Sequence, residues 1–177
     1  KYDDGRMQVN SRLQPFPNFT EAENQGKALF LKTVAQGGAG CINCHATEAF
    51  VSVNSGPKNN GLDLVSTNDL GAFETFPTTN SLKGAFKIPT LRNIALGAPY
   101  MHDGRFQTLE QVIEHYNSGV KNHPNVSPFL KDANGNPQQL NLTEQQKAAL
   151  VAFLRTLTDP NILHNEKWSD PFINQHL

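Results

Sequence analysis

The chain has few of the residues that usually announce a site. It has two cysteines, two methionines and one tryptophan among 177 residues. With so few cysteines a disulfide scaffold is excluded, because such folds need several, spread along the chain. No apolar run approaches the ~20 residues that span a bilayer. Fifteen basic against sixteen acidic side chains give a formal charge of −1, a balance that suggests neither a nucleic-acid surface nor an anionic membrane. There are no internal repeats and no low-complexity tracts, and no segment alternates convincingly enough for a strand. The first residue is Lys1, with neither an initiator methionine nor a signal peptide. A mature chain or a fragment of a longer one is expected.

The remaining composition, 37% hydrophobic and 18% charged, is that of a globular domain with room for a core. Residues 1–19 are polar, hold two prolines and show no helical period, so they read as an extended linker or wrapping arm. Three capping boxes follow: Thr20 with Glu23, Thr108 with Gln111, and Thr143 with Gln146. The first opens a helix to about Val34, with Ala22, Gly26, Leu29, Phe30 and Thr33 near one face. Gly26 on that face would let another helix approach closely, at a propensity cost of about 1 kcal/mol. The second opens a helix to about Asn117, closed by Gly119. Leu109, Val112, Ile113 and Tyr116 form its stripe, and His115 lies about 100° away. The third helix carries Leu150, Phe153, Leu154 and Leu157 and ends before Asp159-Pro160.

Between them, Gln36-Gly37-Gly38-Ala39-Gly40 reads as a flexible turn. Residues 54–107 are rich in Gly, Pro, Asn and Thr and accommodate no helix of normal length; so long an irregular stretch is expected to line a prosthetic group. Residues 121–140 are loop, with a turn at Asn134-Gly135-Asn136-Pro137. The tail 161–177 is irregular, with Trp168 as a packing anchor. The fold class is mostly α, with long ordered loops. The domain boundaries fall at 20–160, between the arm 1–19 and the tail 161–177.

Both cysteines lie in Cys41-Ile42-Asn43-Cys44-His45. Two thiols three residues apart can reach the two vinyl groups of one porphyrin, and the following imidazole can ligate its iron. Cys41, Cys44 and His45 are therefore the expected attachment of one covalent haem c in a cytochrome c-like haem domain. Zinc would want four ligands, commonly a second cysteine pair. A thioredoxin-like redox pair would want a βαβ context. Neither is in the sequence. For the second axial ligand the residues offer Met101, in a loop held by Pro99 and Gly104, and Tyr116, on the inward face of its helix. His102 and His115 are weaker candidates. Spacing alone favours Met101, since Met/His ligation is common in cytochromes c.

The runs Phe86-Lys87-Ile88-Pro89-Thr90-Leu91-Arg92-Asn93-Ile94, Ala98-Pro99-Tyr100-Met101-His102-Asp103-Gly104 and Thr108-Leu109-Glu110-Gln111-Val112, placed after CxxCH, resemble the C-terminal haem domain of bacterial dihaem cytochrome c peroxidases and their MauG-type relatives. The resemblance runs from Lys1 to the closing helix. It implies an N-terminal domain whose haem meets hydrogen peroxide, to which residues 1–19 would be the linker. The C-terminal haem then relays electrons from a small donor, a cytochrome c or cupredoxin. It also implies an exported, periplasmic or cell-envelope protein, and homodimers are among the assemblies it allows. In the peroxidases a methionine sixteen residues beyond the A-P-Y tyrosine ligates the iron. From Tyr100 that count arrives at Tyr116, and MauG-type members carry a tyrosine there. The resemblance thus moves the expectation from Met101 to Tyr116. It further implies a calcium ion held partly by carbonyls at Gly97 and Pro99, and a haem propionate neutralised by Arg92. The alternatives are a MauG-type oxidase domain, in which an anionic phenolate suits higher oxidation states, and a free-standing monohaem carrier. No acid–base pair stands out, so no catalytic residue is expected in this chain.

Overall fold

The structure is a computed structural model that describes residues 1–52 and 56–169. Four α-helices form: α1 at Tyr2–Met7, α2 at Glu21–Leu31, α3 at Leu109–Glu114 and α4 at Glu144–Arg155. All three capping boxes are present with both reciprocal bonds, which satisfies orphan N–H groups at each helix start. Among the described residues no extended strand forms; isolated bridges such as Lys58↔Phe86 and Asn59↔Val126 tie the loops together. The mostly α architecture with long ordered loops is as expected.

The core is the crossing of α2 and α4. Gly26 makes it: a Cβ there would collide with the backbone carbonyl of Ala149 and lie 2.9 Å from Phe153 Cβ. Beside the crossing, Tyr2, Phe30, Phe50 and Phe153 pack in edge-on and tilted pairs, geometry that aromatic quadrupoles favour.

Residues 1–19 are not an extended linker. They wrap the domain and belong to its core. Tyr2 and Phe16 are each 1% exposed, and the Tyr2 N–H donates to the Thr156 carbonyl at 3.2 Å. The helix α1 has no side-chain cap and too few residues to stand alone; burial of Tyr2 holds it. Lys27 closes the arm onto α2. Although 2% exposed, its Nζ donates to the carbonyls of Arg12 (2.7 Å) and Gln14 (2.5 Å) and sits 3.8 Å from the Phe16 ring centre. Burial pushes the ammonium down to about 8.

Two further expectations are corrected. The glycine turn 36–40 is tightly bonded rather than loose: Gly38, Ala39 and Gly40 donate to the carbonyls of Thr33, Leu29 and Lys32. Trp168 is 65% exposed, and among the described residues Lys167 lies over its ring, so it is not a packing anchor for that part of the chain. Residues 170–177 of the tail lie outside the described residues. The segment from 56 to 107 forms no α-helix, only 3-10 turns at Asn80–Leu82 and Ile94–Leu96.

Candidate haem-attachment site

Gly40 enters the motif in the left-handed region (φ 72°) and starts a 3-10 turn over Cys41–Asn43. In a 3-10 turn residues i and i+3 eclipse, which puts Cys41 and Cys44 on one side. The His45 N–H still donates to the Cys41 carbonyl at 3.0 Å, so the imidazole is carried by the same turn. Both cysteines are unpaired. Burial pushes the Cys41 thiol up to about 12 and raises that of Cys44, against which Lys58 works. Redox-active and metal-binding cysteines have lowered values; this pair is held as neutral thiols. Among the described residues no group of three or more His, Cys, Asp or Glu is arranged to hold a metal ion.

His45 is oriented by a residue that the sequence did not single out. Its Nδ1 lies 2.8 Å from the Phe50 carbonyl. A carbonyl only accepts, so Nδ1 carries the proton and Nε2 keeps the lone pair that a metal needs. Phe50 has φ 55°, an outlying conformation for a bulky residue. Burial of its ring (0% exposed) among Tyr2, Phe30 and Phe153 holds it there. Burial lowers the pKa of His45, against the carbonyls of Phe50 and Pro89, so the ring is neutral.

The candidates for the opposite side converge on Asn60. After α3 the backbone widens into a π-helical turn at His115–Gly119, a feature often found at functional sites. His115, still in α-helical register through its N–H bond to the Gln111 carbonyl, is 5% exposed because the loop at Asn60 covers its face, and it donates from Nε2 to the Asn60 carbonyl at 3.0 Å. Tyr116 remains inward. Its hydroxyl is pushed up to about 12 by burial, with the Asn60 side chain working against that rise and the Cys44 and Cys41 thiols adding to it. Met101, at φ 72°, accepts a hydrogen bond on Sδ from Asn60 Nδ2 at 3.4 Å. His102 is exposed and stacks on Phe86, with ring centres 3.9 Å apart. Asn60 thus joins Met101 and His115, and Tyr116 lies within electrostatic range of both cysteines of the 41–45 turn.

Three other expected residues have different surroundings. Arg92 donates to Asp3 Oδ2 (2.8 Å) and to the Glu48 carbonyl (2.7 Å) and stacks over Tyr2 and Phe50. These contacts tie Arg92 to α1 and to the Glu48 backbone. Gly97 and Pro99 lie on an exposed loop. A cavity of about 310 Å³ opens beside Asn60, lined also by Asp63, Phe86, His102 and Arg105, with no residue of 41–45 in its walls. Near it the buried His123 contacts Ser66 through Nε2 (3.2 Å) and Asn59 through Nδ1 (3.2 Å), an arrangement that suggests an activated serine. However, Nδ1 accepts the Asn125 N–H at 2.9 Å, so Nε2 bears the proton and cannot take one from Ser66.

No family model matches the chain. The methylamine utilization protein MauG of Methylorubrum extorquens is 35% identical over 134 residues, which are 75% of this chain and 33% of that protein. The cytochrome c551 peroxidase of Nitrosomonas europaea is 33% identical over 133 residues, 68% of this chain and 31% of that protein. A solved MauG-like protein associated with microbial copper homeostasis superposes with a TM-score of 0.68 at 34% identity, covering 91% of this chain and 54% of that one. The chain belongs to the dihaem cytochrome c peroxidase and MauG family. It corresponds to the C-terminal part of such proteins and spans about a third of the length of these curated relatives. That family consists of haem-dependent oxidoreductases. No helix among the described residues is long and apolar enough to cross a membrane.

Proposed function

We propose that this chain is the electron-transfer domain of a dihaem peroxidase-type enzyme, carrying one haem c on Cys41, Cys44 and His45 with Tyr116 as the second axial ligand. When bound, a haem c supplies a one-electron ferric/ferrous couple. The chain's own residues do the rest. Cys41 and Cys44, held as neutral thiols on one side of a 3-10 turn, would hold the group through two thioether links. His45 is fixed as the Nδ1-protonated tautomer by the Phe50 carbonyl. Tyr116, half-buried and within electrostatic range of both cysteines, would supply the second protein ligand; Met101 is the alternative. Two protein ligands leave no open position, so this domain passes electrons from a small donor protein, a cytochrome c or cupredoxin, to the haem of an N-terminal domain. The Gly97 and Pro99 carbonyls, exposed on their loop, would supply part of a calcium site completed by that domain. Covalent attachment of haem takes place after export, which puts the protein in the periplasm or cell envelope.

The observation that carries this reading is a Cys-x-x-Cys-His turn with a half-buried tyrosine in electrostatic range of both its cysteines. An absorption and electron paramagnetic resonance spectrum of the oxidised, haem-loaded protein tests it. Low-spin iron without the red charge-transfer band of an iron–thioether bond, turning high-spin in Tyr116→Phe, is the expected result; the band in wild type, unaffected by Tyr116→Phe, would shift the assignment to Met101. Tyr116 also favours a second reading, a MauG-type oxidase. A spectral change that persists for minutes after peroxide is added to the intact two-haem protein would select it, whereas rapid return to the ferric spectrum would select the peroxidase.

A further inference from the structure

The N-terminal arm reaches the cysteine turn through one aromatic contact. Tyr2, on α1, packs edge-on against Phe50, with ring centres 5.0 Å apart and planes at 76°. Phe50 supplies the carbonyl that accepts the His45 Nδ1–H at 2.8 Å. Its φ of 55° is a conformation that a bulky residue leaves when nothing confines its ring. The flanks of this segment are fixed independently. The Phe50 N–H donates to the Thr47 carbonyl (2.9 Å), Thr90 Oγ1 to the Ala49 carbonyl (2.6 Å) and Arg92 to the Glu48 carbonyl (2.7 Å). The aim of the Phe50 carbonyl therefore depends on its own backbone rotation, and that depends on its ring. Three aromatic rings wall it in: Phe30, Phe153 and Tyr2. Phe30 and Phe153 belong to the α2–α4 crossing. Tyr2 comes from a six-residue helix with no side-chain cap. It is seated by its N–H on the Thr156 carbonyl (3.2 Å), its hydroxyl on Glu48 Oε2 (2.9 Å) and the Arg92 guanidinium 5.2 Å from its ring centre.

We propose that Tyr2 is a positioning residue for the axial imidazole: its ring locks Phe50 in the left-handed conformation that aims the carbonyl at His45 Nδ1, so the seating of the arm sets the reduction potential of the bound haem. This rests on the haem reading above. A carbonyl on Nδ1–H makes the opposite ring nitrogen a stronger donor, and a stronger donor favours ferric iron. Without the Tyr2 ring, Phe50 relaxes toward negative φ, its carbonyl turns away and the imidazole loses its partner. The ferrous state then gains. On this account the arm is more than a strap, because whatever displaces α1 is felt at the iron.

The test uses the haem-loaded protein, with reduction potential and the electron paramagnetic resonance g-values of the oxidised form as readouts. Tyr2→Leu removes the ring. It is expected to raise the potential, increasing the ferrous-to-ferric ratio at a fixed solution potential roughly fivefold, and to move the g-values. Tyr2→Phe keeps the ring, with the Thr156 bond and Arg92 still seating it, and should match wild type. Phe19→Leu removes an aromatic of the same arm that packs on Phe16; it should lower the urea midpoint and leave the potential unchanged. Should Tyr2→Leu fail to fold, Tyr2→Met, closer in volume, gives the same reading. A haem-loaded Tyr2→Leu with the wild-type potential and g-values overturns the proposal. So does a Phe19→Leu that moves the potential as far, since the effect would then be general loosening, or a Tyr2→Phe that does, since the ring would not be what acts. A wild-type protein that takes up no haem in an export-competent host removes the haem reading itself, and this proposal with it.

Discussion

Replacing Gly26 by alanine sets two effects of opposite sign against each other. In an isolated helix, Gly→Ala stabilises by about 1 kcal/mol through backbone entropy. At the α2–α4 crossing the new methyl would run into the Ala149 carbonyl, which belongs to a helix backbone and cannot rotate aside, and come to 2.9 Å from Phe153 Cβ, where carbon contacts are best at about 3.5–4 Å. The helices must part, loosening the contacts of Phe30 and Phe153, which are 2% and 0% exposed. Overpacking of this kind costs about 1–3 kcal/mol, and a rigid backbone partner belongs at the upper end. The net expectation is a loss of about 2 kcal/mol, which for a domain of this size lowers the melting temperature by roughly 4–8 °C. Denaturant unfolding of the haem-loaded wild type and Gly26→Ala, followed by far-ultraviolet circular dichroism, measures it. A variant that is more stable by about 1 kcal/mol would show that propensity outweighs the packing and refute the close crossing.

Lys27→Met keeps the volume against Phe16 but strips the Arg12 and Gln14 carbonyls of their donor. A loss of about 2 kcal/mol is expected from such unsatisfied groups; a variant as stable as wild type in the same unfolding assay would count against the clamp. Burial lowers the pKa values of His115 and His123, so below about pH 6.5 the unfolded chain takes up protons that the folded one refuses. Stability should therefore be full above that pH and fall as the solution is acidified from 7.5 to 5.5, less steeply in His123→Gln. A urea midpoint that rises on acidification would contradict the burial of neutral rings.

What the sequence could tell depended on the range of the interactions involved. The three capping boxes are local, four-residue devices, and all three form. The Cys41–His45 motif is equally local, and the chemistry of its thiols follows from burial. The small face of Gly26 gave away a helix crossing because only one residue type permits it. What escaped was set by distant segments. The α1 helix has weak propensity, with Gly5 at its centre, and owes its form to Tyr2 entering a core made 28 to 151 residues downstream (Phe30, Phe50 and Phe153). His115, off the apolar stripe, is buried all the same because a distant loop at Asn60 closes over it. Phe50 and Asn60 act through a carbonyl and an amide whose partners come from loop closure, and no pattern in the chain marks them. Arg92 shows the converse: its motif pointed to one anion, and the folded arm supplies another in Asp3.

The central claim is a covalent bond, and mass spectrometry of the denatured protein, matured in a host that exports and attaches haem, tests it most directly. The account predicts a polypeptide heavier by the mass of one haem, with the colour staying in the protein after acidified organic extraction and lost when Cys41 and Cys44 are both replaced by alanine. A bare polypeptide mass with the pigment in the organic phase would contradict it.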